Sequence, residues 1–399
     1  MKTVPFILVL FLFFPAIGKS QPKAVTVPFI LDHNRMLVEA EVQRPDGTWR
    51  KALLWVDTGN PAFLLSGELA SELGITAPAA GQTTRPEAAL KIRVGGMVLR
   101  CDTIEITVGT ALSWLFRTMH NDGNIPSTLL RNYHVVFDYP ARQITLAEPG
   151  TIKPRGKKSA AHVHPSTGIV QLDAVIGGES CSMALDNGAS FSFLPDTMIQ
   201  DLIRRHPSWP HITGAAGCAN IWGTWPQEEH WPVVRIPEIS FGSLTVRDAA
   251  IAGLPPFFRG GADLGTWYSR KTAQPVKGFL GPNFFGHCRV EIDYAGSAVY
   301  FDPREKPSPD DLCLVGITLA PGNDGRWTVA GVITKEGKPL VEGVHPGDIL
   351  LRAGTTIATG ATMGTVIDAL HGKPGDLRTL TLERDGREFT VEAAVTRLL

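Results

Sequence analysis

The chain has 399 residues, with 38 Lys and Arg against 39 Asp and Glu, and a formal net charge of -1. That balance excludes the basic footprint of a general nucleic-acid binder and gives no electrostatic case for an acidic partner surface. A hydrophobic fraction of 43% and a charged fraction of 19% exclude a disordered chain, and 41 Gly with 30 Pro beside few helix-like stretches point to many short strands joined by turns.

The first element is a targeting signal. Lys2 precedes an apolar run from Val4 to Ile17 that is too short for a comfortable membrane span, and the small residues Ala16 and Gly18 stand where a signal peptidase cuts. Residues 1–20 read as a secretory signal peptide with the mature chain starting near Lys19 to Pro22, periplasmic or secreted and with no stable membrane span; the alternative is an uncleaved anchor. Export permits disulfides, and the five cysteines (Cys101, Cys181, Cys218, Cys288 and Cys313) leave at least one thiol unpaired. Their spacing assigns no pair and suggests no metal.

The next stretch alternates as paired strands, from Thr26 to Val42, and turns at Pro45-Asp46-Gly47. A third strand, Leu53-Leu54-Trp55-Val56, runs into Asp57-Thr58-Gly59-Asn60. Phe63-Leu64-Leu65 follows, then a short helix over Glu68–Leu73 stopped by Gly74. Strands resume on either side of Gly95-Gly96, and the half closes with Tyr133–Tyr139, a turn at Pro140-Ala141-Arg142, and Gln143–Leu146. The basic stretch from Lys153 to Lys158 reads as a solvated connector.

The second half repeats this order. A strand pair near Ile169–Ile176 turns at Gly177-Gly178, and Met183-Ala184-Leu185 runs into Asp186-Asn187-Gly188. A helix over Asp196–Ile203 follows, then strands at Val233–Ile236 and Ile239–Phe241. Val135-Val136-Phe137-Asp138-Tyr139 in the first half answers Val290-Glu291-Ile292-Asp293-Tyr294 in the second, so the economical account is an internal duplication. Two β-rich lobes, 24–150 and 160–303, would meet at their Asp loops.

Pro303–Pro309 reads as a linker, after which the character changes. A strand at Cys313–Leu319, a turn Val344-His345-Pro346-Gly347-Asp348, an amphipathic helix over Met363–Leu370, and a final hairpin turning at Asp385-Gly386 make a third small domain, 312–397.

Asp57-Thr58-Gly59, with an apolar strand before it and Phe63-Leu64-Leu65 after it, resembles the signature of aspartic proteases. Gly278-Phe279-Leu280-Gly281 resembles the apolar-apolar-Gly element behind the catalytic loop in that family. The likeness spans most of residues 26–303 and is to the bacterial retropepsin-like group with both lobes on one chain. The third domain resembles a PDZ domain of exported bacterial proteases, on Val344-His345-Pro346-Gly347-Asp348-Ile349-Leu350. The resemblance implies a mainly β fold, two duplicated β-barrel lobes and a PDZ-like β-rich domain with short helices. It implies Asp57 and Asp186 as the catalytic dyad, supported by Thr58, Gly59, Asn187 and Gly188. It also implies that Leu314, Val315, Gly316 and Ile317 cap the carboxylate of a protein C-terminus.

Two carboxylates held together share a proton, so one activates a water while the other donates to the substrate carbonyl. No metal, cofactor or covalent intermediate is required. The sequence departs from the family pattern in two places. Asn187 stands where a hydroxyl residue is expected. The first-lobe counterpart of Gly278–Gly281 is Gly123-Asn124-Ile125-Pro126, whose Pro lacks an N–H and should prevent that strand from forming unchanged. The expected function is an exported endopeptidase acting on peptide or protein substrates. The alternatives are a catalytically impaired homologue that binds peptides, and a chain whose PDZ-like domain carries all the function. Trp222, Trp225 and Trp231 read as core rather than cleft, His162 and His164 as solvated loop, and Asp138 and Asp293 as turn residues outside the site.

Overall fold

A computed structural model describes residues 21–77, 83–84, 90–101, 105–109, 116, 119–214, 228–256, 264–306, 308, 310–322 and 324–399. Residues 1–20, Trp222, Trp225 and Cys218 lie outside them. The chain is mainly β with short helices, as the sequence pattern predicts.

The first lobe is built from β1 (Ala24–Pro28), β2 (Ile30–Asp32), β3 (Arg35–Gln43), β4 (Trp49–Asp57), β5 (Phe63–Leu65), β6 (Leu90–Val94), β7 (Met97–Cys101), β8 (Ile106–Val108), β9 (Gly123–Pro126), β10 (His134–Asp138) and β11 (Gln143–Ala147). The turn between β3 and β4 forms where the sequence places it. Asp46 Oδ1 accepts the Thr48 N–H at 2.9 Å, and Gly47 takes a positive φ of 86°. Helix α1 (Gly67–Glu72) is capped by Ser66, whose Oγ accepts from Leu69 N at 3.1 Å, and ends before Gly74 at φ 68°. Its sheet runs β7-β6-β3-β4-β9-β5-β8, with β2 paired to β3. A four-residue helix, α2 (Ser127–Leu130), follows β9.

The second lobe comprises β12 (Lys157–Ala160), β13 (His162–Val163), β14 (Val170–Ile176), β15 (Glu179–Leu185), β16 (Phe193–Pro195), helix α3 (Asp196–Arg205), β17 (His211–Thr213), β18 (Pro232–Phe241), β19 (Leu244–Leu254), α4 (Leu264–Tyr268), β20 (Gly278–Leu280), α5 (Pro282–Phe285), β21 (Cys288–Asp293) and β22 (Ala298–Pro303). Its sheet runs β13-β14-β15-β20-β16-β19-β18-β17, and β14 also pairs with β18, which closes a barrel.

The lobes are joined by a third sheet, β1-β11-β10-β21-β22-β12. Its centre is the antiparallel pair β10–β21, from His134↔Asp293 to Asp138↔Arg289, so the two repeated Asp-Tyr strands lie against each other. Lys157 and Lys158, expected in a solvated connector, instead open β12, the edge strand of this sheet. It pairs with β22 and buries Ser159, while the Arg155 N–H donates to the fully buried Glu291 at 2.7 Å. Two exposed lysines suit an edge strand, and Ser159 is the residue that turns inward.

The C-terminal domain has strands β23 (Cys313–Val315), β24 (Ile317–Pro321), β25 (Trp327–Val332), β26 (Thr334–Lys335), β27 (Lys338–Pro339), β28 (Ile349–Ala353), β29 (Thr356–Ile357), β30 (Leu377–Arg384) and β31 (Arg387–Arg397), with helix α6 (Met363–Leu370) before β30. The main sheet runs β23-β31-β30-β28-β25-β24. Asp385 and Gly386 both take positive φ (51° and 74°), the two-residue turn that Asp-Gly favours. Met363, Val366, Ile367 and Leu370 of α6 are buried against this sheet. The domain also shares a core with the second lobe: Leu312, Leu314, Ile333 and Leu398 pack with Phe191, Phe193, Trp231 and Tyr268. Among the described residues, no helix is long and apolar enough to cross a membrane.

Candidate active site

Asp57 ends β4, and Asp186 follows directly on β15. Each Asp loop is backed by a parallel strand from further along its own lobe. Leu54↔Gly123 through Asp57↔Pro126 pair in the first, and Met183↔Gly278 through Leu185↔Leu280 in the second, where Asp186 N–H donates to Leu280 O at 2.9 Å. Pro126 leaves the strand in place but not unchanged: its counterpart Gly281 donates its N–H to Ser192 Oγ at 2.8 Å, a bond proline cannot make. Pro126 stands at the strand's last position, extended (φ -81°, ψ 165°) and heading α2, where no ladder donor is needed. Asn124 takes the place of Phe279 and works through its amide, accepting from Leu64 N at 2.7 Å and donating to Ala62 O at 3.2 Å. That fixes the chain just past the Asp57 loop.

The two loops cross reciprocally. A Cβ added to Gly59 would land on the Asp186 carboxyl, and one added to Gly188 would land on that of Asp57. Only glycine allows this approach. Thr58 and Asn187 tie the crossing. Thr58 Oγ1 donates to Leu185 O at 3.0 Å and accepts the Asn187 N–H at 3.0 Å, while Thr58 N–H donates to Asn187 Oδ1 at 2.8 Å. The longer Asn side chain thus supplies an acceptor for the opposite backbone.

Asp57 is 3% exposed and Asp186 half-buried. Their carboxyls face each other across the crossing, each against the glycine of the other's loop. Asp57 Oδ1 accepts from Gly59 N at 3.0 Å; Asp186 Oδ1 accepts from Gly188 N at 2.9 Å and Ala189 N at 3.2 Å. Burial, then the charge of Asp186, pushes Asp57 well above the usual carboxylate range. Burial pushes Asp186 up to about 6, against its two backbone donors and the nearby Arg35. More donors, more solvent and a cation make Asp186 the member that ionises first, although the proton belongs to the pair.

Three residues around the pair carried no signal in the sequence. Arg35, fully buried at the start of β3, extends Nη2 to Ser190 Oγ at 3.4 Å, four residues beyond Asp186. Tyr268 donates its hydroxyl to Gly59 O at 2.5 Å, and both aspartates and burial push its ionisation upward. Lys271, over the Trp267 ring at 3.9 Å, faces Asp57 and Glu105; burial lowers its pKa despite them. Each is a single residue placed by a long-range contact, with no local pattern to mark it.

Leu314, Val315, Gly316 and Ile317 are all buried. They run from β23 into β24 beneath Leu340, which lies so close to Gly316 that a Cβ there would strike it. A carboxylate reaching these amides requires Leu340 to move. Trp231 is core, edge-on to Phe193 at 6.2 Å. Asp138 and Asp293 accept from Ala141 and Gly296 backbone N–H in the turns that follow them. His164 Nδ1 accepts two backbone N–H groups, from Ser166 and Thr167. Among the described residues, no cluster of His, Cys, Asp and Glu could hold a metal, and Cys181, Cys288 and Cys313 are free thiols. No family model matches the chain, and neither does any curated protein.

Proposed function

We propose that the chain is an exported aspartic endopeptidase in which Asp57 and Asp186 share one proton across the crossed loops. The observation that carries this reading is the facing carboxyl pair itself, each member packed against the glycine of the other's loop. Ionised Asp186 takes a proton from a water between the carboxyls; neutral Asp57 donates to the substrate carbonyl oxygen as the water adds. The tetrahedral intermediate collapses as the proton on Asp186 passes to the leaving nitrogen and one hydroxyl of the intermediate returns its proton to Asp57, which restores the pair. Thr58, Asn187, Gly59 and Gly188 keep the carboxyls in register.

The C-terminal domain is read as a PDZ-like module that recruits or gates peptide substrates. β24 ends its sheet, so a peptide strand could extend it. The test is cleavage of an unstructured protein between pH 4 and 8. Asp57→Asn and Asp186→Asn are each expected to reduce turnover by about a thousandfold or more. Wild type as inert as both variants would end the enzyme reading and leave peptide binding as the function.

A further inference from the structure

The turn between β2 and β3 touches both the C-terminal domain and the Asp186 loop. At its start Asp32, 6% exposed, receives the Thr362 hydroxyl and, at 3.0 Å, the Gly364 N–H. It thereby caps the N-terminus of α6 from a different domain, beside Thr362, which accepts from Thr365 N at 3.1 Å. The contact is close enough that a Cβ on Gly364 would strike the Asp32 carboxyl and the His33 N–H. The next two residues, His33 and Asn34, take left-handed φ values of 44° and 63°, which fixes the turn tightly. Its far side holds the catalytic loop: Asn34 Nδ2 donates to Ser190 O at 2.9 Å, and Arg35 reaches Ser190 Oγ.

We propose that docking of α6 on Asp32 positions the Asp186 loop and sets the protonation of Asp186 through Arg35, making Asp32 a positioning residue under the control of the C-terminal domain. This rests on the endopeptidase reading for its effect on catalysis, though not for the mechanical link. Arg35 pairs opposite Asp32 in the β2–β3 ladder and reaches Ser190 of the Asp186 loop; its charge favours the ionised form of both carboxyls, against the burial that raises each. While α6 is docked, its N-terminus shares the charge of Asp32, and the field of Arg35 acts more fully on Asp186. Once α6 withdraws, Asp32 competes for Arg35. The other groups facing these carboxylates are Asp368 of α6 on Asp32, and Asp57, Tyr139 and Tyr268 on Asp186.

Two substitutions in the full-length chain separate charge from docking. Asp32→Asn keeps an acceptor for Gly364 but removes the charge; the acid limb of the activity profile should move down by about half a pH unit. Gly364→Ala keeps the charge but forces the helix off, and the same limb should move up by a similar amount. Backbone amide exchange over residues 186–191 should speed by about threefold or more in Gly364→Ala and in Asp32→Lys, which sets a cation against the helix N-terminus, while β30 and β31 stay protected. Unchanged exchange over 186–191 in both undocking variants overturns the link, as do limb shifts that are absent or of one sign. A wild type that cleaves nothing sinks the endopeptidase reading instead, and the exchange measurement still decides the link.

Discussion

Thr58 takes part in all three hydrogen bonds that bind the two loops at their crossing, and its hydroxyl makes two of them. Thr58→Val keeps the shape and deletes those two, leaving Leu185 O and the Asn187 N–H buried without partners. The expected loss is about 2–3 kcal/mol in urea unfolding, with turnover falling more than the stability loss explains because the carboxyls lose register. Asn187→Ala removes only the acceptor of the Thr58 N–H and should cost about 1–2 kcal/mol. The carboxyls themselves oppose stability at neutral pH. Both are raised above the unfolded value of 3.8, so folding favours their protonated forms; that contribution is complete below pH 3.8, falls as pH rises from there, and is gone once pH has passed the folded value, about 6 for Asp186. Asp186→Asn, neutral at every pH, should therefore stabilise the fold by about 2 kcal/mol at pH 8 and by nearly nothing at pH 3.5. Thermal melts at the two pH values check the sign. A gain at low pH would place the strain elsewhere than in the buried charge.

Among the elements, those governed by local pattern were legible from the sequence. Helix α6 spans Met363–Leu370 because its apolar residues recur at helical spacing between a Thr cap and His371, and the Asp385-Gly386 turn forms because both positions need positive φ. The pairing of the Asp loops followed from the repeated strand-Asp-x-Gly order. Pro126 alters its strand only at the end, because the rule against proline in a strand applies where an N–H must join the ladder, and this position is the last before a helix. Hidden altogether was the polar centre of the interlobe sheet. Glu291, in the middle of an apolar strand, accepts from the Arg155 backbone, contacts His134 Nε2 at 3.0 Å and pairs with Arg289. No neighbour in sequence announces these partners. Glu291→Leu strands three polar groups in a buried sheet and is expected to cost about 3 kcal/mol in chemical denaturation; a near-neutral result would mean water already reaches this layer.

At the scale of the whole molecule, the question is whether the third domain is a tethered accessory or part of the fold. Leu312, Leu314, Ile333 and Leu398 are each under 3% exposed or close to it, and they share one core with Phe191, Phe193 and Trp231 of the second lobe. Arg235, 8% exposed, is paired across the junction with Asp311 at 2.6 Å, and Thr318 Oγ1 donates to Gly214 O at 2.7 Å. Each of the four aliphatic side chains is worth roughly 2 kcal/mol of burial, as an upper bound. A chain ending after Pro303 would bare the Trp231 face and leave the Arg235 guanidinium without its carboxylate. It should melt lower by about 5 °C or more, bind a hydrophobic dye such as ANS and associate at micromolar concentration. Loss of activity in that chain would then report damage to the second lobe as well as loss of the proposed recruiting module, so calorimetry and dye binding must accompany the assay. If the shortened chain instead stays monomeric and melts with the full-length protein, the shared core contributes little, and the C-terminal domain is a separable neighbour of the second lobe.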